Sequence, residues 1–234
     1  MNLKGSNILI TGGSSGIGKA TADLLVKSGA NVAITARNES RLSMAAVQTG
    51  SFPIHADVSL QEDVDRTFDI FMKKFARLDV LINNAGYGAG FGPVDQLNMQ
   101  AFKEVYATNV FGAAMMAQRA AQIFKHQNYG NIINIASSAA VKGYENGTIY
   151  SSSKFALRGM TQCWQAELRK YNVRVVLINP SYVATAFGSF SGEEKAEESN
   201  KLTGNEIAHT IKSTLEMDNR GFIPEVSVWA TNPF

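Results

Sequence analysis

The chain has one cysteine, Cys163, and so no internal disulfide. That excludes a disulfide-held extracellular scaffold and leads us to expect a reducing compartment, the cytoplasm. It has no block of charge of one sign. Its 22 basic and 20 acidic residues leave a net charge of +2, which marks no surface for nucleic acid or an anionic membrane. No apolar run approaches the roughly 18 residues that span a bilayer, and the opening MNLKGSNILI is too short in apolar residues for a secretory leader. The three histidines, His55, His126 and His209, are far apart and none stands at metal-ligand spacing, so structural or surface roles are expected and no metal. Linkers, repeats and low-complexity tracts are missing as well. The remainder is a 234-residue chain, 45% hydrophobic and 18% charged. It is long enough to bury a full core and is expected to form a single domain over residues 1–234.

Short β-rich runs alternate with helical patterns along that length. Strands are predicted at residues 7–11, 31–36, 51–56, 79–83, 131–135, 173–179 and 222–229. Helices are predicted at 16–28, 38–47, from a Ser59 cap to about 76, at 99–126 as one long helix, and at 148–170 and 203–217. Continuous Val/Ile/Leu strands separated by helices imply a parallel sheet covered on both faces. With right-handed crossovers this is an α/β, doubly wound, Rossmann-type sheet of about seven strands. Residues 181–203 form the least regular stretch, with Glu193, Glu194, Glu197 and Glu198 and two phenylalanines, Phe187 and Phe190. It reads as a cover over a substrate site or as an ordinary solvated loop.

The sequence TGGSSGIG, residues 11–18, stands where the first strand meets the first helix. Gly12 allows a sharp turn, and Gly16 and Gly18 allow close backbone approach. The cradle Gly12, Ser14, Ser15, Gly16, Ile17 and Gly18 then offers helix-terminal N–H groups and a partial positive charge to a pyrophosphate. The spacing is not G-x-G-x-x-G. Gly13, Gly18 and Lys19 nearly complete a P-loop, but Ala20 stands where a magnesium-binding hydroxyl is needed. The second strand ends at Ala36, followed by Arg37 and Asn38, and no carboxylate appears before Glu39. A basic residue there suits a ribose 2′-phosphate and a carboxylate would repel one, so NADP(H) is expected in preference to NAD(H). Asp57 and Val58, just past the third strand, are expected at the adenine, with helix capping the alternative for Asp57. Asn83, Ala85 and Gly86 close the fourth strand, where small residues let ribose and phosphates pass. The asparagines there are expected to pin neighbouring backbones.

Tyr150 is the only one of seven tyrosines with a lysine, Lys154, four residues on. A helix places that pair on one face, and a nearby ammonium is expected to lower the phenol's pKa from about 10 toward working pH. Ser137 closes the fifth strand at the carboxyl edge, where parallel sheets bind ligands, and is preferred to its neighbour Ser138. Asn109 is a polar residue in the apolar context Val110, Phe111, Gly112. Together these residues supply carbonyl reduction by hydride transfer. Ser137 holds the oxygen as charge grows, Tyr150 donates the proton, and Lys154 tunes the phenol and holds the ribose. Asn109 holds a water linking Lys154 to solvent. Cys163 is expected to be buried and apolar. Phe91, Tyr144, Tyr182, Phe187 and Phe190 are candidates for a substrate wall.

TGGSSGIG, Asp57-Val58, NNAG (residues 83–86), Asn109, Ser137, YSSSK (150–154) and NPSYVAT (179–185) together resemble the short-chain dehydrogenase/reductase family in its common single-domain form. The resemblance covers residues 11 to about 232. It implies the tetrad Asn109–Ser137–Tyr150–Lys154 and contacts from Pro180, Val183 and Thr185 to the nicotinamide end of the cofactor. It also implies a homo-oligomer, dimer or tetramer, with Phe111, Met115, Met116 and Trp164 either in that interface or in the core. Ser181 stands where the family usually has glycine. Ser15 stands where NADP-preferring members often carry a basic residue, and the tail lacks the glycine-rich ending of β-ketoacyl reductases. The expected activity is an NADP(H)-dependent interconversion of a carbonyl and a secondary alcohol. The alternatives are an epimerase or dehydratase, or a non-catalytic nucleotide sensor on the same fold.

Overall fold

The computed structural model describes residues 1–185, 187 and 198–232. β1 (Asn7–Thr11) is buried from end to end. Alternate side chains serve opposite layers, as a pleated strand requires. Ile8 and Ile10 join the apolar cluster on one face of the sheet, while Leu9 joins the cluster on the other. β2 (Asn31–Ala36), β3 (Phe52–His55), β4 (Val80–Asn83), β5 (Gly130–Ile135), β6 (Val173–Pro180) and β7 (Glu225–Val228) complete one sheet in the order β3-β2-β1-β4-β5-β6-β7. Every pairing is parallel. This is the doubly wound fold read from the sequence. The order reverses between β1 and β4, which opens a crevice at their carboxyl ends.

Helices cover both faces. α1 (Gly16–Lys27), α2 (Glu39–Thr49) and α7 (Gly204–Glu216) contribute Leu25, Leu42 and Ile211 to one layer. α3 (Gln61–Phe75) and α5 (Ala113–Gln127) contribute Phe68, Phe71 and Phe124 to the other. Two helix starts follow from their caps. The Asn38 side chain accepts from the Arg41 amide at α2, and Thr203 and Glu206 form a reciprocal capping box at α7. Among the described residues no helix is long and apolar enough to cross a membrane, and no three His, Cys, Asp or Glu side chains gather in one place.

Four details differ from the sequence reading. Ser59 does not cap α3, because its amide and hydroxyl both bind Asp57 Oδ1 and the helix begins at Gln61 without a side-chain cap. The expected long helix at 99–126 is divided into α4 (Met99–Tyr106), a π-helical turn (Ala107–Gly112) and α5. β7 is shorter than expected and begins directly after Pro224, which has no N–H for the ladder. Cys163 is exposed. It lies two residues past Thr161, so helical rotation carries it off the stripe of α6 (Thr148–Leu168) that Leu157, Thr161 and Leu168 bury.

Candidate active site

The loops after β1, β4, β5 and β6 enclose a cavity of about 1210 Å³ at the carboxyl edge of the sheet. Its floor begins at the glycine turn. Gly12 (φ +66°) and Gly16 (φ +51°) hold left-handed conformations that side chains disfavour. A Cβ on Gly12 would lie 2.9 Å from Ala85 Cα, and one on Gly18 would lie 2.3 Å from the Gly12 carbonyl oxygen. α1 starts at Gly16 behind Ser15, whose side chain makes no capping bond, and there is no acidic residue in its first turn. The helix therefore opens its donor-rich end onto the cavity, an arrangement suited to an anion. Ser14, Ser15, Gly16 and Ile17 line the cavity beside Gly12. Gly18 does not line it; its missing side chain lets α1 press against the turn.

Asn84 ties the first and fourth strand loops together, the backbone pinning expected of the asparagines at this turn. Its Nδ2 donates to the carbonyls of Thr11 (2.9 Å) and Gly12 (3.0 Å), while Thr11 Oγ1 accepts from the amides of Asn84 and Ala85. Asn83, which the sequence reading placed at the cofactor, does not line the cavity. It is buried and donates to Asn134 Oδ1 (3.0 Å) and the Ala113 carbonyl (3.3 Å), holding β4 to β5 and α5. Ala85 and Gly86 do line the cavity. The cause is strand geometry: successive side chains point opposite ways, so the last strand residue turns inward and the next one reaches the crevice.

Arg37, Asn38, Asp57 and Val58 all line the end of the cavity beyond β2 and β3. The Arg37 guanidinium is 3.9 Å from Asp57 Oδ2 and 5.8 Å from the Tyr87 ring centroid, with most of its side chain exposed. Asp57 Oδ1 accepts from the Ser59 amide and hydroxyl; the helix capping expected as an alternative is absent, since α3 starts behind Leu60 without a side-chain cap. Arg41 brings a second cation to the same wall, one helical turn from Asn38, a position visible only once α2 is built.

At the other end Ser137, Tyr150 and Lys154 meet. Ser137 follows β5 in extended backbone, and its Oγ accepts from the Ala139 amide (3.1 Å). α6 carries Tyr150 and Lys154 on one face, with Lys154 Nζ 5.7 Å from the Tyr150 ring centroid. Nζ donates to the Ile135 carbonyl at 3.0 Å, and burial pushes its pKa down to about 8. The phenol differs from expectation. Burial of its hydroxyl end pushes the Tyr150 pKa up to about 12, while a hydrogen bond with the Ser137 hydroxyl pulls the other way. Desolvation wins here because the ammonium is directed at Ile135, not at the phenolic oxygen. Ser137, the serine preferred over Ser138 in the sequence reading, is the one that acts on the phenol's pKa.

Asn109 is 1% exposed and stands behind the cavity wall. Its Oδ1 accepts from the Tyr87 amide (3.0 Å), and its Nδ2 donates to the Tyr87 carbonyl (3.0 Å) and to Ser153 Oγ (3.1 Å). Ser153 Oγ in turn donates to the Tyr150 carbonyl (2.7 Å). The amide thus clamps the β4 loop to the start of α6. Gly86 passes between, where a Cβ would lie 3.0 Å from Asn109 Oδ1 and 3.4 Å from Lys154 Nζ.

Pro180, Val183 and Thr185 line the cavity after β6, and Thr185 packs against the glycine turn, 3.1 Å from where a Gly16 Cβ would lie. Phe91, Tyr144, Tyr182 and Phe187 also line it; Phe190 and part of the expected cover (residues 186 and 188–197) lie outside the described residues. Of the candidate interface residues, Phe111 is exposed, while Met116 is buried in the core and Met115 and Trp164 pack against it.

Comparisons with known proteins agree with this geometry. A family model described as short chain dehydrogenase matches residues 6–196. An L-xylulose reductase of Caenorhabditis elegans is 38% identical over 187 residues, 77% of this chain and 73% of that protein. An NADP-dependent 3-hydroxy acid dehydrogenase of Schizosaccharomyces pombe is 33% identical over 244 residues, 98% of this chain and 94% of that protein. Among solved structures, an alcohol dehydrogenase of Thermococcus sibiricus complexed with 5-hydroxy-NADP superposes with a TM-score of 0.90 at 27% identity, covering 97% of each chain.

Proposed function

The chain belongs to the short-chain dehydrogenase/reductase family of oxidoreductases, and from that premise we propose that it interconverts a carbonyl and a secondary alcohol with NADP(H), using Tyr150 as proton donor and acceptor. The observation that carries this reading is the convergence of the Ser137 hydroxyl, the Tyr150 phenol and the Lys154 ammonium in the same cavity as the glycine turn and the start of α1. The residues fit a nicotinamide dinucleotide. Gly12 and Gly16 leave room that a Cβ would fill, the α1 terminus suits the pyrophosphate, and Lys154 and Thr185 line the same cavity. When bound, the reduced nicotinamide supplies the hydride that the carbonyl carbon accepts.

The protein's own groups act on the oxygen. Ser137 hydrogen-bonds it, and Tyr150 delivers a proton as negative charge grows there, leaving a phenolate beside the Lys154 ammonium. In the reverse direction the phenolate takes the alcohol proton. A phenol held at about 12 is fully protonated at neutral pH, which suits the donor role in carbonyl reduction.

The preference for NADP(H) rests on Arg37 and on the lack of a carboxylate between Ala36 and Glu39. Arg41 on the same wall supports it. Residues 181–203 are read as a cover for the substrate, the chain as one catalytic domain, and the protein as a cytoplasmic homo-oligomer. Phe111 and Phe155, exposed on the helical side, support the last reading.

The test is Tyr150→Phe. NADPH oxidation with a carbonyl substrate is expected to fall at least about a thousandfold while NADPH affinity is retained, since acid–base catalysis contributes roughly two to four decades. Undiminished turnover in that variant overturns the assignment.

A further inference from the structure

The end of the cavity that holds Ser137 and Tyr150 is walled unlike the end that holds Arg37. The rings of Phe91 and Phe187 stand 6.3 and 5.2 Å from the Tyr150 ring. They converge over Gly88, where a Cβ would lie 2.7 Å from Phe91 Cζ and 3.2 Å from Phe187 Cζ. Tyr144, whose charge acts on the phenol, and Tyr182 line the same cavity. These four side chains are 38–51% exposed, so four aromatic residues line the cavity of the Tyr150 phenol with much of their apolar surface in water. A concentration of that kind marks a binding surface, whereas scattered exposed aromatics do not.

Charge is missing from this end. Among the described residues lining it, the one ionised side chain at neutral pH is Lys154, and its ammonium is bonded to the Ile135 carbonyl. Arg37, Arg41 and Asp57 belong to the region beyond β2 and β3. β2 is three strand spacings from β5 in the sheet order, roughly 14 Å. Among the described residues, a carboxylate on the substrate would lose water here and meet no free cation, and a polyol would bring more hydroxyls than Ser138 and two phenols can satisfy. An apolar body gains by covering the rings.

We propose that the substrate is an uncharged carbonyl compound with a flat or bulky apolar body, such as an aryl or alicyclic ketone, or the matching alcohol. The body lies between Phe91 and Phe187, and the carbonyl oxygen meets Ser137 and Tyr150. This rests on the oxidoreductase reading above and adds the substrate class to it.

The experiment compares acetophenone, its 4-carboxylate and acetoacetate as substrates with NADPH, and measures their binding to the NADP⁺-saturated protein by calorimetry. The expected result is a kcat/KM for acetophenone at least about tenfold above either anion. Phe91→Ala and Phe187→Ala are each expected to raise the KM for acetophenone about tenfold with a smaller change in kcat. Both side chains are substantially exposed, so both variants are expected to fold. Equal or better turnover of an anion, or an unchanged KM in both variants, overturns the substrate class and leaves the reductase reading standing. Selective binding of acetophenone without turnover of any carbonyl upholds the apolar site and sinks the reductase reading. Absence of both turnover and selective binding overturns the substrate class.

Discussion

Lys154 carries an ammonium group that is almost cut off from water and held by one carbonyl, that of Ile135. Its pKa falls from 10.5 to about 8 through burial. Below pH 8 the lysine is charged in both the folded and unfolded chain, and folding carries the whole desolvation cost. Between about 8 and 10.5 the unfolded chain binds more protons, so this group's contribution to stability rises with pH. Lys154→Met is therefore expected to raise Tm at pH 7, by a free energy on the order of 3 kcal/mol at most. The unpaired Ile135 carbonyl takes back part of that gain. The gain is expected to shrink as pH rises from 8 to 10.5, which thermal melts across that range will check. At Arg37 the expectation concerns selectivity. Arg37→Ala is predicted to weaken NADPH binding by about tenfold or more, the value of a charge-assisted contact, and to leave NADH binding nearly unchanged; titration of both cofactors decides it. Ser137, Tyr150 and Lys154 were legible in the sequence because their spacing encodes a face and an edge. That the asparagines ending β4 pin neighbouring backbones was legible too, but which of them lines the cavity was not, because that depends on the residue at which β4 ends. The direction of the phenol's shift was not legible either, since one helical turn fixes proximity but not how deeply a hydroxyl is buried.

At the scale of elements, the turn between β1 and α1 is set by contacts too short for any side chain. Gly18 lies within α1, where alanine ordinarily stabilises a helix by about 1 kcal/mol, yet its Cβ would fall 2.3 Å from the Gly12 oxygen and 2.5 Å from Asn84 Nδ2. Overpacking of that order costs about 1–3 kcal/mol, so the clash prevails. Gly18→Ala is predicted to destabilise the protein and weaken NADPH binding. Gly159→Ala in α6, with no atom within 4 Å of the new Cβ, is predicted to stabilise by about 1 kcal/mol, and denaturant unfolding of the pair will separate packing from propensity. The break in the 99–126 helix escaped the sequence for a physical reason. Apolar residues on both sides of Asn109 keep an approximately helical rhythm, and a π turn adds its extra residue without a glycine or proline to mark it. Only the Tyr87 and Ser153 partners of Asn109 show what the wider turn achieves.

For the whole molecule, the parallel direction of the strands was readable because buried parallel strands need apolar residues on both faces, and β1, β4, β5 and β6 have them. The two layers also follow from alternation within single strands, as in Ile8, Leu9 and Ile10. Edge strands were harder, since β7 is only partly buried and pairs on one side. The shape of the cavity was not readable at all, because it depends on loops whose lengths are printed in the sequence but whose paths are not. With all seven strands running the same way, the loops that line the cavity leave one rim, and the opposite rim carries described turns between helices and strands together with the amino terminus, which is bonded to the Leu215 and Met217 carbonyls. New specificities are therefore within reach by recutting three loops while the scaffold stays as it is, and labels or fusion partners can be grafted onto the far rim without silencing catalysis.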